Sequence, residues 1–385
     1  MKSGNQSSAA RSLAVLHPVF LLTGLFHAIG GPLLPSLAST FNLDDSQSGL
    51  LLSLYFAGSS LGALLCVGRY TRAMAVGFAL VAMCCLGVAT NSWPFLLLLF
   101  LALGVGVGLP MSAVSLFVGQ AFPNRSAPLL VFLNFSWSLG ALVAPLLAAL
   151  VLASHGFRTA YGLLAGIAVI AALACAVLLS DEPEVSDPRR QLKKHVNLRA
   201  ITLFALAAFL EVGIENTAAA WLSTYALRTT SRGAAFAATL SALYWTGFLL
   251  SRAGASLALL RFKAVILLRI AIPLALVAAT LLFVSRVQWA SSAAMFLLGM
   301  MLAPIYPLIV AESFGRVRQT SDSRWILAAA GFGGSVLPWL TGWISAQTGS
   351  IRAALLTLPA ALLTMIFLLP FLFSRSAPPS SQSQA

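Results

Sequence analysis

The sequence predicts an all-α integral membrane protein with twelve transmembrane helices in two pseudo-symmetric six-helix bundles. Three observations lead there. Apolar runs of 18 or more residues recur along the whole chain, the basic residues between them are unevenly shared between alternate loops, and the second half repeats features of the first. Each run is long enough to cross about 30 Å of hydrocarbon as a helix. Only 9% of the residues are charged and 59% are hydrophobic, whereas soluble domains carry about 25% charged residues because their surface faces water. The short alternating segments of a transmembrane β-barrel are absent from the pattern.

The runs place helices near 13–37, 47–68, 73–91, 93–121, 127–152 and 158–180, giving a first bundle within residues 1–180. Residues 181–198 form a polar connector containing Arg189, Arg190, Lys193 and Lys194, expected on the cytoplasmic side. Six further helices, near 199–227, 232–258, 262–285, 288–314, 323–347 and 351–373, make the second bundle within 199–373. The Ser/Pro/Gln-rich tail, 374–385, is expected to be disordered. Residues 1–12 are polar and lack a small-residue cleavage site, so the run after them is expected to be a retained helix and not a signal peptide.

Charge placement tests this layout. With both termini in the cytoplasm, 17 of the 23 basic residues fall on that side. Five fall on the other (Arg158, Arg228, Arg232, Arg286 and Arg352), and Arg252 lies within a span. That bias follows the positive-inside rule for an even helix count and a bacterial inner membrane. The net charge of +13 does not point to nucleic acid, because the basic residues sit between apolar runs and line no amphipathic face. Cys66, Cys84, Cys85 and Cys175 all fall inside apolar runs, as small buried hydrophobes without disulfide or metal spacing.

The repeat is visible without gaps. Residues 204–225 lie over 20–41, pairing Ser223-Thr224-Tyr225 with Ser39-Thr40-Phe41 and Glu211 with His27. Leu243-Tyr244-Trp245-Thr246-Gly247 matches Leu54-Tyr55-Phe56-Ala57-Gly58, and Gly333 and Pro338 match Gly140 and Pro145. Parallel repeats about an axis along the membrane normal are a transporter architecture. Gly104, Gly106 and Gly108 in the fourth span follow no strand, so they are read as a close-packing seam and not a nucleotide loop. Gly30-Gly31-Pro32 is read as a break that lets the first span bend.

Five stretches carry a resemblance. They are Gly31-Pro32-Leu33-Leu34-Pro35 with Gln47-Ser48-Gly49; Gly213-x-Glu215 with Trp221 and Tyr225; Tyr244-Trp245-x-Gly247 with Ser251-Arg252; Ala303-Pro304-Ile305-Tyr306-Pro307; and Ala330-Gly331-Phe332-Gly333-Gly334 with Pro338-Trp339. Over essentially its full length the chain resembles the major facilitator superfamily, and these stretches resemble its fucose-permease-type branch of sugar:proton symporters. The resemblance implies a monomeric transporter working by alternating access, with no cofactor beyond a coupling ion. Two departures stand out. The loop between the second and third spans, Val67-Gly68-Arg69-Tyr70-Thr71-Arg72, keeps the superfamily's basic residues but lacks its Asp, and the first span has His27 where the branch carries a carboxylate.

Ionisable groups inside a bilayer are costly, about 2.5–3.5 kcal/mol each on insertion scales, and they mark function or a buried partner. Glu211 and Glu215 sit near mid-depth of the seventh span, one turn and about 6 Å apart along the axis. Two carboxylates so close in a poor solvent do not both ionise, so the pair can carry a proton. The competing explanation is a neutral acid satisfied by a neighbouring helix. The resemblance places Glu215 in a sugar-binding position, while Glu211 stands where the branch more often has an aromatic residue. Glu211, Glu215 and His27 are therefore the proton-coupling candidates, facing a central aqueous vestibule. Arg252 matches a gating position by the same resemblance. Glu215, Asn216, Asn134, Trp137, Trp221, Tyr225, Tyr244, Trp245 and Trp339 are the substrate-binding candidates: amides suit hydroxyls, and aromatic faces suit the C–H face of a sugar ring. For the tryptophans and tyrosines the competing explanation is an interface belt.

The reading that follows is a proton-coupled importer of a small polar solute, a sugar by resemblance. A drug or metabolite antiporter would use the same acids, and sodium could use Glu and Asn oxygens in place of a proton. A membrane enzyme or pump is excluded by the scattered His17, His27, His155 and His195, and by the lack of a metalloprotease motif or P-loop.

Overall fold

The computed structural model describes residues 2–66, 68–90, 93–122, 126–179, 198–230, 232–259, 261–316 and 320–373. Among them all regular structure is helical. The first half contains α1 (Lys2–Ala28), α2 (Gly30–Phe41), α3 (Asp45–Leu65), α4 (Tyr70–Thr90), α5 (Trp93–Ala121), α6 (Ser126–Leu152) and α7 (Gly156–Leu178). The second contains α8 (Leu198–Thr230), α9 (Ala234–Ala258), α10 (Ala264–Val284), α11 (Gln288–Leu302), α12 (Ile305–Arg316), α13 (Thr320–Thr348), α14 (Ile351–Ala354) and α15 (Thr357–Phe373). The connector expected over 181–198 lies outside the described residues except for Leu198, which opens α8, and the tail 374–385 lies outside them too.

Among the described residues, ten helical stretches can cross a membrane by length and composition, and eleven if the bent pair α1–α2 is one span. The run expected over 199–227 is α8, 33 residues long and buried without interruption from Gly213 to Ala226. Three runs expected as single helices are each two. The first bends by 40° at Ile29, beside Gly30-Gly31-Pro32. The other breaks fall before Ile305 and Thr357, where Pro304, Pro307 and Pro359 have no N–H to return to the preceding turn. Asn42 turns the chain out of α2 in the left-handed region (φ 53°). Asp44 and Gln47 then cap α3 reciprocally, at 2.7 and 3.0 Å. This tight corner fixes where Asp45 stands.

The packing follows the repeat. In the first half α1 lies on α6, α3 on α5, and α4 on both α5 and α7. In the second, α8 lies on α13, α9 on α11, and α10 on both α11 and α15. Across the halves α3 meets α13, α6 meets α9, and α2 meets α8. Glycines set the closest approaches. A Cβ added at Gly58 or Gly104 would land on the carbonyl oxygen of Leu101 or Tyr55, and one at Gly247 or Gly299 on that of Phe296 or Tyr244. The same reciprocal seam therefore joins α3 to α5 and α9 to α11, as small-residue packing between membrane helices requires.

A third seam corrects the ungapped repeat. Gly140 of α6 seats on the Leu21 carbonyl, and Gly333 of α13 seats on that of Phe209. Matched through these contacts His27 corresponds to Glu215, one turn from Glu211. Apolar sequence matches itself in several registers, and only the backbone contact distinguishes them. The four cysteines are buried and form no disulfide.

Substituting these seams should be asymmetric with respect to open positions. Gly140→Leu or Gly333→Leu forces backbones apart, and overpacking of this kind costs about 1–3 kcal/mol or more. The thermal midpoint of the detergent-solubilised protein should fall by about 5 °C or more. Gly162→Leu, where an added Cβ meets nothing within 4 Å, should leave it unchanged.

Candidate functional site

α8 carries the acids, and the helices around it seal them. Glu211 is 0% exposed and Glu215 8%. Both carboxylate oxygens of Glu211 are shut from water and have no hydrogen-bond partner. The vestibule expected around them is therefore closed at Glu211 in this conformation: the acid sits in a packed interior. Tyr244 and Arg252 of α9 and Tyr306 of α12 lie within electrostatic reach of both acids.

An aromatic layer joins this group to the first half. The His27 ring lies 5.2 Å from Trp137, 5.4 Å from Phe56 and 6.4 Å from Tyr55. The His27 ring also lies beside the Asn216 side chain. Trp137 of α6 meets Trp245 of α9 edge-on at 5.9 Å, and Trp245 meets Tyr244 and Phe248 at 5.0 and 5.2 Å. Over this layer lies Arg252, its guanidinium carbon 4.7 Å from the Phe248 ring and 5.2 Å from that of Trp137. One terminal nitrogen donates to Asn134 Oδ1 at 3.1 Å. Arg252 thus bridges α9 to α6, in contact with aromatic faces that suit a flat cation.

Buried groups left unpaired concentrate here. Besides Glu211 they include His27 Nδ1, Trp137 Nε1 and Tyr244 OH. A buried polar group without a partner costs about 1–3 kcal/mol, so a set of them is a strain that a hydroxylated ligand would relieve.

The structure brings together His27, Asn134, Trp137, Glu211, Glu215, Asn216, Tyr244, Trp245 and Arg252. It does not bring Trp221, Tyr225 or Trp339 into this group. Trp221 Nε1 donates to the Pro338 carbonyl at 3.0 Å and Tyr225 OH to that of Leu282 at 2.7 Å, ties of α8 to α13 and α10. Trp339 is 39% exposed. Asn216 spends part of its capacity on the Gly334 carbonyl, donating at 3.2 Å. Two members were not singled out as site residues from sequence: Phe248 and Tyr306. Tyr306 stood in a quoted motif, but Phe248 is indistinguishable in sequence from an ordinary span residue. A second polar group also escaped notice. Arg228 donates through both terminal nitrogens to Asp45, at 2.6 and 2.5 Å, and Ser345 Oγ donates to the same carboxylate at 2.5 Å. Each charge alone reads as a residue at the end of a span.

A polytopic helical protein whose two halves repeat one contact pattern, with its ionisable groups enclosed where they meet, is of the membrane-transporter class. The model of the Major Facilitator Superfamily matches residues 16–321, and the chain belongs to that family. It is a transporter and not an enzyme. Two proteins described as glucose/galactose transporters, from two strains of Brucella abortus, are each 26% identical over 90% of this chain and 91% of their own length. Among solved structures, the nucleoside transporter NupG aligns with a TM-score of 0.77 at 13% identity, covering 94% of this chain and 100% of that one. A bacterial homolog of the human lysosomal transporter Spinster, inward-facing and occupied, aligns at 0.70 and 15% identity, covering 95% and 96%. The E. coli fucose:proton symporter FucP aligns at 0.62 and 20% identity, covering 95% and 99%. These likenesses place the fold.

Arg252→Lys keeps the charge but loses the flat contact with Trp137 and Phe248. Uptake by this variant should fall about tenfold, equivalent to ~1.4 kcal/mol, with the amount of folded protein on size-exclusion chromatography unchanged.

Proposed function

We propose that the protein imports a small polar solute, a sugar, by proton symport, as a monomer in a bacterial inner membrane with both termini in the cytoplasm. The observation that carries this reading is the enclosed cluster of Glu211, Glu215, His27 and Arg252, surrounded by aromatic rings and unpaired buried polar groups. Hydroxyls of a sugar would satisfy Tyr244, Trp137 and Asn216, and the aromatic layer would cover a C–H face. The glucose/galactose transporters it resembles support the substrate class, and the fucose:proton symporter supports the proton.

In this reading α8 is the seventh span and brings the number of spans to twelve, and residues 1–180 and 199–373 form two six-helix bundles that rock about the cluster. An ionised carboxylate without a donor in a dry interior is costly by several kcal/mol, and a protonated one far less so. The enclosed arrangement therefore belongs to the proton-loaded protein, and release of the proton favours opening. Glu211 carries the proton, Glu215 with Asn216 holds the solute, and His27 passes the proton between water and Glu211. Arg252 holds α6 to α9 while the cluster is closed.

Uptake of glucose or galactose into proteoliposomes is the test. Uptake should rise with an inward proton gradient. Glu211→Gln should abolish that dependence while solute exchange at equal concentrations continues. Glu215→Gln should lower both by tenfold or more, about 1.4 kcal/mol of binding. Uptake unaltered in both variants would defeat the assignment. Solute leaving against a proton entering would make the protein an antiporter, and sodium replacing the proton gradient would change the coupling ion.

A further inference from the structure

At the end of the molecule where α2 turns into α3 lies a recess of about 340 Å³. Small-molecule sites run from about 300 to 1,000 Å³, so it has room for a monosaccharide. Its rim includes Ser39, Asn42, Asp45 and Arg228, and its wall includes Ser48 and Thr224. The central cluster does not share these residues.

Two features mark it as built for a ligand. Ser48 and Thr224 are 1% and 5% exposed, and neither hydroxyl oxygen has a hydrogen-bond partner. Serine and threonine in helices ordinarily satisfy themselves on a carbonyl one turn back, as Thr229 and Thr230 do just beyond. Ser48 and Thr224 line the recess from different halves of the chain and stay unpaired. Beside them the bonds from Arg228 and Ser345 to Asp45 leave the carboxylate able to accept more.

We infer that the recess is a second site for the same polyhydroxylated solute, separate from the central one. The inference rests on the sugar reading above for its ligand class. Solute hydroxyls engage Asn42, Asp45 and Arg228 at the rim and Ser48 and Thr224 at the wall. Those last two are shut from water here, so a solute reaching them parts the wall between α3 and α8. Occupancy thereby favours the conformation in which the recess opens toward the cluster, since a ligand shifts a protein toward the state it binds better.

A single reporter thiol tests this on the purified full chain. The four native cysteines are buried, so Ser39→Cys places the reactive thiol on the rim, with the parent as background. D-glucose and D-galactose are the probes, and maleimide labelling is the readout. Labelling should slow about threefold at twice the dissociation constant. The slowing should persist with Glu215→Gln and vanish with Ser48→Ala/Thr224→Val. No slowing by either sugar overturns the recess site. So does slowing that disappears with Glu215→Gln, because the thiol then reports a change relayed from the cluster, or slowing that survives the double variant. Uptake measured in parallel separates the two readings. Uptake without protection retains the central site and removes the recess, and protection without uptake does the reverse.

Discussion

A carboxylate cannot face hydrocarbon, and α8 carries two of them near its middle. That constraint organises the molecule. No lipid-exposed position suits such a helix, so it runs between α13, α15, α9 and α2 and is buried without a break from Gly213 to Ala226. The helices that enclose it must then supply its polar partners. Arg252 stands within electrostatic reach, Asn216 bonds the Gly334 carbonyl, and His27 reaches in from the opposite half. The remaining unpaired atoms are the residue of that arrangement, and unpaired polar atoms in a low-dielectric interior are where a polar solute gains most.

Holding such a cluster without a soluble-type core depends on close backbone contact. Lipid tails are as apolar as leucine, so helix association in a membrane relies on packing and not on water exclusion. The glycine seams between α3 and α5 and between α9 and α11 meet that need by letting carbonyls sit where a side chain would otherwise be. Close backbone approach also joins the halves, where Gly31 seats on the Ala219 carbonyl and Gly342 on that of Asp45. Beside these contacts lie the aromatic layer around Trp137 and Trp245, the Arg252–Asn134 bond and the Asp45–Arg228 pair.

The polar groups are distributed along α8 accordingly. The Asp45–Arg228 pair and Ser345 tie α3, α8 and α13 at one end, and the acids occupy the middle of α8. Trp221 and Tyr225 between them anchor α8 to α13 and α10 through backbone carbonyls. Those two rings therefore fix where α8 stands, and the groups a solute would meet are placed relative to them.

Hydropathy, loop charge and the repeat were enough to read the all-helical membrane class and most of the central cluster from sequence, and the resemblance of five motifs supplied the family. The reason is that a polar group inside an apolar run has few places to go: Glu211, Glu215, Asn216, His27 and Arg252 announce themselves by being out of place. The tertiary structure alone decided what apolar or end-of-span residues do. Trp339 faces outward, while Phe248 and Tyr306 join the cluster, a difference of helix rotation that composition does not encode. It also moved the partner of His27 in the repeat from Glu211 to Glu215, and it paired Asp45 with Arg228 across 183 positions of chain. Depth in the membrane is written in local hydropathy, but which faces meet is set by where backbones can touch.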